Sequence, residues 1–143
     1  MLEGFNLITR FTVSFSDIDM LQHVNNIAYI RWMELVRTEY FARVLGADIT
    51  SDRGMIQANI NFQYEKQIVH REAVAVGVRV SRIGTKSFDF SYEIWSETHQ
   101  HRCAHGTTAI VAYDFVKHQS IAVPDEWRTL IDAFEQGPQI EFR

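Results

Sequence analysis

The stretch FTVSFSDIDMLQHVNNIAYIRWMELVR, residues 11–37, decides the fold, because its hydrophobic period changes partway through. Upstream, LITRFTVSF (7–15) puts Leu7, Thr9, Phe11, Val13 and Phe15 on one parity, the alternation of a strand. Downstream, NIAYIRWMELVRTEYFARVL (26–45) reads as one long helix. At roughly 100° per residue, Tyr29, Ile30, Trp32, Met33, Val36, Tyr40, Phe41 and Val44 form a broad apolar face. Arg31, Thr38 and Ala42 lie opposite. Asn25 or Asn26 suits the N-cap and Gly46 the stop. Arg37 falls inside the apolar arc. Either its stem is buried while its head reaches water, or the guanidinium is buried and paired with a carboxylate. Glu34 and Asp17 are the candidate partners, and an Asp17–Arg37 supporting pair is the expectation adopted.

Between the two periods lies SDIDMLQHVNN (16–26). An Asx-rich turn that caps a helix would account for these residues with no further purpose. Yet carboxylates beside a helix N-terminus sit at the positive end of its dipole. The free N–H groups of the first turn can also bind a developing oxyanion. A carboxylate next to an oxyanion site is a minimal apparatus for hydrolysing an activated acyl group. Thioesters suit it, because their carbonyls are more electrophilic than those of esters or amides and thiolate leaves without strong protonation.

Moving outward, MIQANINFQY (55–64) sets Ile56, Ala58, Ile60, Phe62 and Tyr64 on one face and Gln57, Asn59, Asn61 and Gln63 on the other. Residues 73–83 repeat the habit with Val74, Val76, Val78 and Val80, and residues 86–95 with Phe88, Phe90, Tyr92 and Ile94. RIGTKS between them is a glycine-containing hairpin turn. A last strand spans 103–116, and a short helix starts after Pro124. The order predicts an α+β domain over residues 1–143. A five-stranded antiparallel sheet wraps one long helix, with a short C-terminal helix.

Composition narrows the function classes. A chain of 143 residues, 46% hydrophobic and 22% charged, fits one globular domain with its own core. A net charge of −4 gives no nucleic-acid footprint. The single cysteine, Cys103, excludes an intrachain disulfide and points to the cytoplasm. MLEGFNLITRF is not a signal peptide, and no apolar run reaches the roughly 18 residues of a membrane span. There is no P-loop, dinucleotide fingerprint or GxSxG elbow. HQHRCAH offers His99, His101, Cys103 and His105, which on one extended strand would share a face at zinc-ligand spacing. A turn near His99 breaks that row, so no metal is expected.

Residues 11–37 resemble the strand–loop–helix signature of hot-dog fold acyl-CoA thioesterases, within the 4-hydroxybenzoyl-CoA thioesterase branch. The matching positions are Asp17, Asp19, His23 to Asn26, Tyr29, Glu34 and Arg37. VSRIGTKSFDFSYEIW and IAVPDEWRTLIDAF resemble later parts of the family, so the likeness spans nearly the whole chain. It implies that Asp19 is the catalytic base or nucleophile and that the Asn26 amide polarises the carbonyl. His23, Asn25 and Tyr29 would contact substrate, with His23 first of all orienting the loop. Gln57, Asn59 and Asn61 would line the pantetheine channel or a subunit interface. Arg82, Lys86 and Ser87, with Arg102, would lie near the CoA phosphates. Asp17, Glu34 and Arg37 would be structural support. The resemblance implies an acyl-CoA substrate, no cofactor and a homodimer, with a tetramer also compatible. An acyl carrier protein substrate or a non-catalytic acyl-thioester binder are the alternatives. The sequence departs from the pattern at Gln22, where the family usually has glycine, a residue that tolerates a left-handed turn or close approach of substrate.

Overall fold

The computed structural model describes residues 2–46 and 49–143. Its elements are β1 (Leu7–Thr12), α1 (Asn26–Tyr40), β2 (Arg53–Tyr64), β3 (Ala73–Ile83), β4 (Ser87–Ser96), β5 (His101–Asp114), β6 (Gln119–Ser120), α2 (Asp125–Glu135) and β7 (Ile140–Phe142). A 3-10 turn, Phe15–Asp17, precedes α1, and a π-helical turn, Phe41–Leu45, prolongs it. No helix among the described residues is long and apolar enough to cross a membrane.

The α+β expectation holds, but the sheet has seven strands rather than five. Its order is β2-β5-β4-β3-β1-β7, with β6 on β5. β7 runs parallel to β1. The two added strands have two and three residues, too few to show a period. β1 also stops at Thr12. Phe15, expected on the strand's inner parity, is instead 79% exposed.

The sheet's inner face closes over α1 because both present continuous apolar rows. Val74, Val76 and Val78 of β3, with Phe88, Phe90, Tyr92 and Ile94 of β4, share one buried cluster with Tyr29, Trp32, Met33, Val36 and Tyr40 of α1. Each large side chain so buried contributes about 1.5–3 kcal/mol. The helix's buried stripe is narrower than the period suggests, since Ile30 remains exposed, as do Ile27 and Leu35 outside the expected face. A second, smaller cluster covers the outer face, where Leu2 and Phe5 pack on Ile8 and Ala75.

β2 is an edge strand. It pairs with β5 in register until a bulge at Ala58, where Gln57 faces Ile110 and Asn59 faces Ala109. One extra residue reverses the parity beyond it. Cross-strand partners share a face, so Gln57 lies on the side of Ile60, Phe62 and Tyr64, while Ile56 joins Asn59 and Asn61. This corrects the expected single polar row of Gln57, Asn59 and Asn61.

Under the other end of α1, the Tyr40 hydroxyl donates to Glu135 Oε1 at 2.7 Å and the Val80 amide donates to the same oxygen at 2.8 Å. Burial raises the Glu135 carboxyl above its ordinary value. Folding disfavours its charged form, so its contribution is full at acid pH and is lost as pH rises through the raised value. Glu135→Gln keeps an oxygen for both donors and carries no charge. It should match wild type near pH 4 and exceed it near pH 7 in chemical denaturation; a constant difference across that range would contradict the assignment.

Candidate active site

The junction between β1 and α1 is built around Asp17, which is 8% exposed. Its Oδ2 accepts from the Ser14 amide at 3.2 Å and the Ser14 hydroxyl at 3.0 Å. Its Oδ1 accepts from Arg31 Nη2 at 3.1 Å. Its own carbonyl accepts from the Asn25 amide at 2.9 Å. Asn25 is the helix cap, its side-chain oxygen accepting from the Ala28 amide at 3.0 Å. The amides of Asn26 and Ile27 meet no acceptor among the described residues, as expected for the first turn of a helix.

The loop that Asp17 closes carries Asp19. The Asp19 amide donates to the His23 carbonyl at 3.1 Å, and its carbonyl accepts from the Gln22 amide at 3.0 Å. One carboxylate oxygen accepts from the Leu21 amide at 2.9 Å; the other has no donor among the described residues. Gln22 sits at φ 65°. The position that is usually glycine is therefore left-handed here too, and the glutamine adopts that geometry at a cost of about 1–2 kcal/mol.

Asp19, His23, Val24, Asn26 and Tyr29 converge on a cavity of about 320 Å³, together with Leu21 and the segment Tyr64, Glu65, Lys66 and Gln67. Four of the expected site residues, Asp19, His23, Asn26 and Tyr29, are thus brought together. The Tyr29 ring meets that of Tyr64 edge-on at 5.0 Å and that of Phe62 at 5.8 Å. Phe62 lies over Gly106, where any Cβ would collide with its ring and with the Asn61 carbonyl. Burial raises the Tyr29 phenol well above its ordinary range, so it stays neutral. Glu65 is held below the usual carboxylate range by hydrogen bonds from Arg102 first and His105 second. Those bonds are both 2.7 Å.

The wall at residues 64–67 escaped the sequence reading. Its only signal is the polar run that ends β2. It is fixed by backbone, the Cys103 carbonyl accepting from the amides of Glu65 at 2.8 Å and Lys66 at 3.0 Å. The turn falls at His99 as expected, but the His99 ring still stacks on that of His101 at 5.8 Å. The histidine row is broken instead at the bulge at Cys103, which turns His105 to the opposite face, where it is engaged with Glu65. Cys103 is fully buried, which pushes its thiol up to about 11.

Other expected residues lie elsewhere. Asn59 Oδ1 accepts from the Ala109 amide at 3.2 Å, Asn61 accepts from Gln63, and Gln57 is outside the cavity lining. Arg82 pairs with Asp89 at 2.8 Å, and neither it, Lys86 nor Ser87 lines this cavity. Ile83 ends β3 ten residues beyond Ala73, roughly 33 Å along the strand from the end that adjoins the acid loop. The Asp17–Arg37 pair is overturned. Asp17 takes Arg31, a residue assigned to the solvent face, and half-buried Arg37 donates to the Tyr92 hydroxyl at 3.3 Å. Tyr92 in turn shares a 2.8 Å hydrogen bond with Thr108. Glu34 is exposed, and no ion pair involves it among the described residues.

The profile of the Thioesterase-like superfamily matches residues 13–131. The chain belongs to that superfamily. The sheet wrapped around one long helix is the hot-dog fold of that superfamily. A thioesterase from Thermus thermophilus, solved with coenzyme A and Zn, is 28% identical with a TM-score of 0.82, over 96% of this chain and 99% of that one. YbaW of Escherichia coli, a probable thioesterase, shares the fold at 21% identity and a TM-score of 0.81, over 90% of this chain and 98% of its own. The uncharacterized protein YsmA of Bacillus subtilis is 26% identical over 89 residues, which span 62% of this chain and 60% of that protein.

The two halves of the Asp17 site should separate on mutation. Asp17→Ala removes at once the acceptor of both Ser14 donors and of Arg31, charge-assisted bonds to a buried carboxylate, and should cost about 1–3 kcal/mol. Arg31→Ala removes a half-exposed ion pair and should cost under about 1 kcal/mol. Urea denaturation of both variants gives the ranking; the reverse order would place the weight on the ion pair. At position 22, glycine removes the left-handed strain but adds about 0.5–1 kcal/mol of unfolded-chain entropy. Gln22→Gly should thus be neutral to about 1 kcal/mol more stable, a large loss being the contrary result.

Proposed function

We propose that this protein is an acyl-CoA thioesterase, with Asp19 as the group that activates water or attacks the thioester. One observation carries the reading: Asp19 lines the same cavity as Asn26, the first residue of α1, whose amide has no acceptor among the described residues. The thioester oxygen would accept from the Asn26 amide, where the helix dipole stabilises developing negative charge. In the general-base route, Asp19 takes a proton from water as the oxygen adds to the carbonyl carbon. The tetrahedral intermediate then breaks its C–S bond, expelling CoA thiolate and leaving the free acid. The proton on Asp19 passes to solvent or to the departing sulfur. In the nucleophilic route an Asp19 oxygen forms a mixed anhydride, thiolate leaves, and water hydrolyses the anhydride.

Coenzyme A in the Thermus relative supports CoA as carrier. The HVNN motif supports kinship with the 4-hydroxybenzoyl-CoA branch. The rival reading, a non-catalytic binder, rests on Gln22; its left-handed conformation supports the catalytic reading, because the loop keeps the turn that glycine would allow.

Self-association as a dimer belongs to the same reading. β2 is a twelve-residue edge strand with exposed apolar side chains on both faces, Ile56 on one and Ile60 on the other. Long apolar edges are stable in solution when another strand covers them. Antiparallel pairing of two β2 edges about their middle would bring the Ile56–Val111–Ser87 row of a second copy beside the Tyr64 end of the cavity. Lys86 and Ser87 would then serve the site across the two-fold axis.

Wild type and Asp19→Ala assayed on a panel of acyl-CoAs test the chemistry. Hydrolysis by wild type should fall about 10²–10⁴-fold in the variant, with substrate binding retained. Turnover that survives the substitution would exclude Asp19 from the chemical step, and binding without turnover by wild type would restore the binder.

A further inference from the structure

We infer that Glu72 is a positioning residue for the Asp19 loop, acting through the single peptide unit that joins Ile68 to Val69. The inference rests on the Asp19 site described above. Glu72 lies between β2 and β3, and its side chain is 1% exposed. A carboxylate buried this deeply is costly unless it is well bonded, and an apolar residue would serve a plain core better. No lysine or arginine pairs with it among the described residues. Its Oε1 accepts a short hydrogen bond from the fully buried Ser96 hydroxyl. Its Oε2 accepts from the Val69 amide at 3.0 Å, with His99 Nε2 at 4.0 Å.

The Val69 amide is where the effect passes to the site. In a planar trans peptide the N–H and C=O point in opposite directions, so fixing one fixes the other. The carbonyl of this same peptide, that of Ile68, accepts from the Val24 amide at 2.8 Å. Val24 forms a β-bridge with Ile18, on the opposite side of the acid loop, and immediately precedes the Asn25 cap and the Asn26 amide. A carboxylate on the N–H side also polarises the peptide, which makes its carbonyl a better acceptor. Glu72 thus orients the peptide that holds Val24, whose neighbours bond the rest of the loop, the His23 carbonyl accepting from the Asp19 amide and the Asn25 amide donating to the Asp17 carbonyl. The chain leading into Ile68 is the cavity wall Glu65 to Gln67, anchored at one end by Cys103 and at the other by this peptide. The main chain of Glu72 adds a second tether, its carbonyl accepting from the Val13 amide at 2.9 Å. That bond survives side-chain substitution.

Glu72 touches no substrate in this arrangement, so its removal should change the order of the loop and the rate of the chemical step more than ground-state binding. The test compares wild type, Glu72→Ala, Glu72→Gln and Ser96→Ala by amide hydrogen exchange and by steady-state kinetics on an acyl-CoA that wild type hydrolyses. In Glu72→Ala the Val24 amide should exchange about ten-fold faster or more, while the Met33 and Val36 amides inside α1 keep their wild-type rates. Its kcat should fall about ten-fold or more with KM within about three-fold. Glu72→Gln, whose amide oxygen can still accept from Val69, should remain within about three-fold of wild type on both readouts. Ser96→Ala should move Val24 exchange in the same direction by a smaller factor, and it carries the test if Glu72→Ala does not fold. Unchanged Val24 exchange in the variants, or an equal loss in Glu72→Gln and Glu72→Ala, overturns the inference. If wild type hydrolyses no acyl-CoA, the proposed function fails, while Val24 exchange still decides the role of Glu72.

Discussion

The loop between strand and helix is closed on one residue, Asp17. Its carboxylate holds Ser14 at the loop's beginning, and its carbonyl holds Asn25 at the loop's end. A chain leaving an extended strand must change direction before it can start a helix, and each reversed peptide needs a hydrogen-bond partner. Asp17 supplies several partners from one buried position. The Asn25 cap, the unpartnered Asn26 amide and the outward turn of Asp19 all follow from that closure. Without it the apolar face of α1 could still collapse onto the sheet, but the geometry of the loop at its start would not be set.

The elements that the sequence made legible are those with a long period. The rows of β3 and β4 and the buried stripe of α1 each repeat over ten residues or more, long enough for burial to impose a pattern. β6 and β7 are shorter than two full periods and are placed by the chain that delivers them. The bulge at Ala58 was invisible for another reason. Small apolar alanine fits either face, and the parity change appears only against β5. That Asp19, His23, Asn26 and Tyr29 meet at one cavity was legible because loop chemistry and helix start coincide in one short segment. Residues 64–67 were not, because their place at the cavity depends on the carbonyl of Cys103, nearly forty residues later.

Charge pairing was the least legible part. Helical period puts Arg37 in the apolar arc and Arg31 on the opposite face, so it points to Arg37 alone as the arginine that needs a partner. A buried guanidinium needs acceptors, but they need not be charged. Tyr92 supplies a phenolic oxygen from the facing strand, itself anchored to Thr108. Arg31 sits near the loop in the first turns of α1, and its flexible stem lets a half-exposed side chain fold back onto Asp17. Period assigns a residue's stem to a face; it does not assign the head of a long side chain.

Three carboxylates therefore divide the work by environment rather than by type. Asp17 and Glu72 are buried, and the oxygens of each are used by hydrogen bonds to the chain, which suits groups that fix geometry. Asp19 is exposed and lines a cavity, with one oxygen on the Leu21 amide and the other without a donor among the described residues. A catalytic carboxylate needs that asymmetry, because an oxygen already saturated by donors is a poor base and a poorer nucleophile. The Leu21 bond fixes the direction of the group while leaving its reactive edge open. The two buried acids hold the loop from opposite sides, Asp17 through Ser14 and Asn25, Glu72 through the peptide that receives Val24. An exposed loop gains a defined shape this way without taking its central residue out of water.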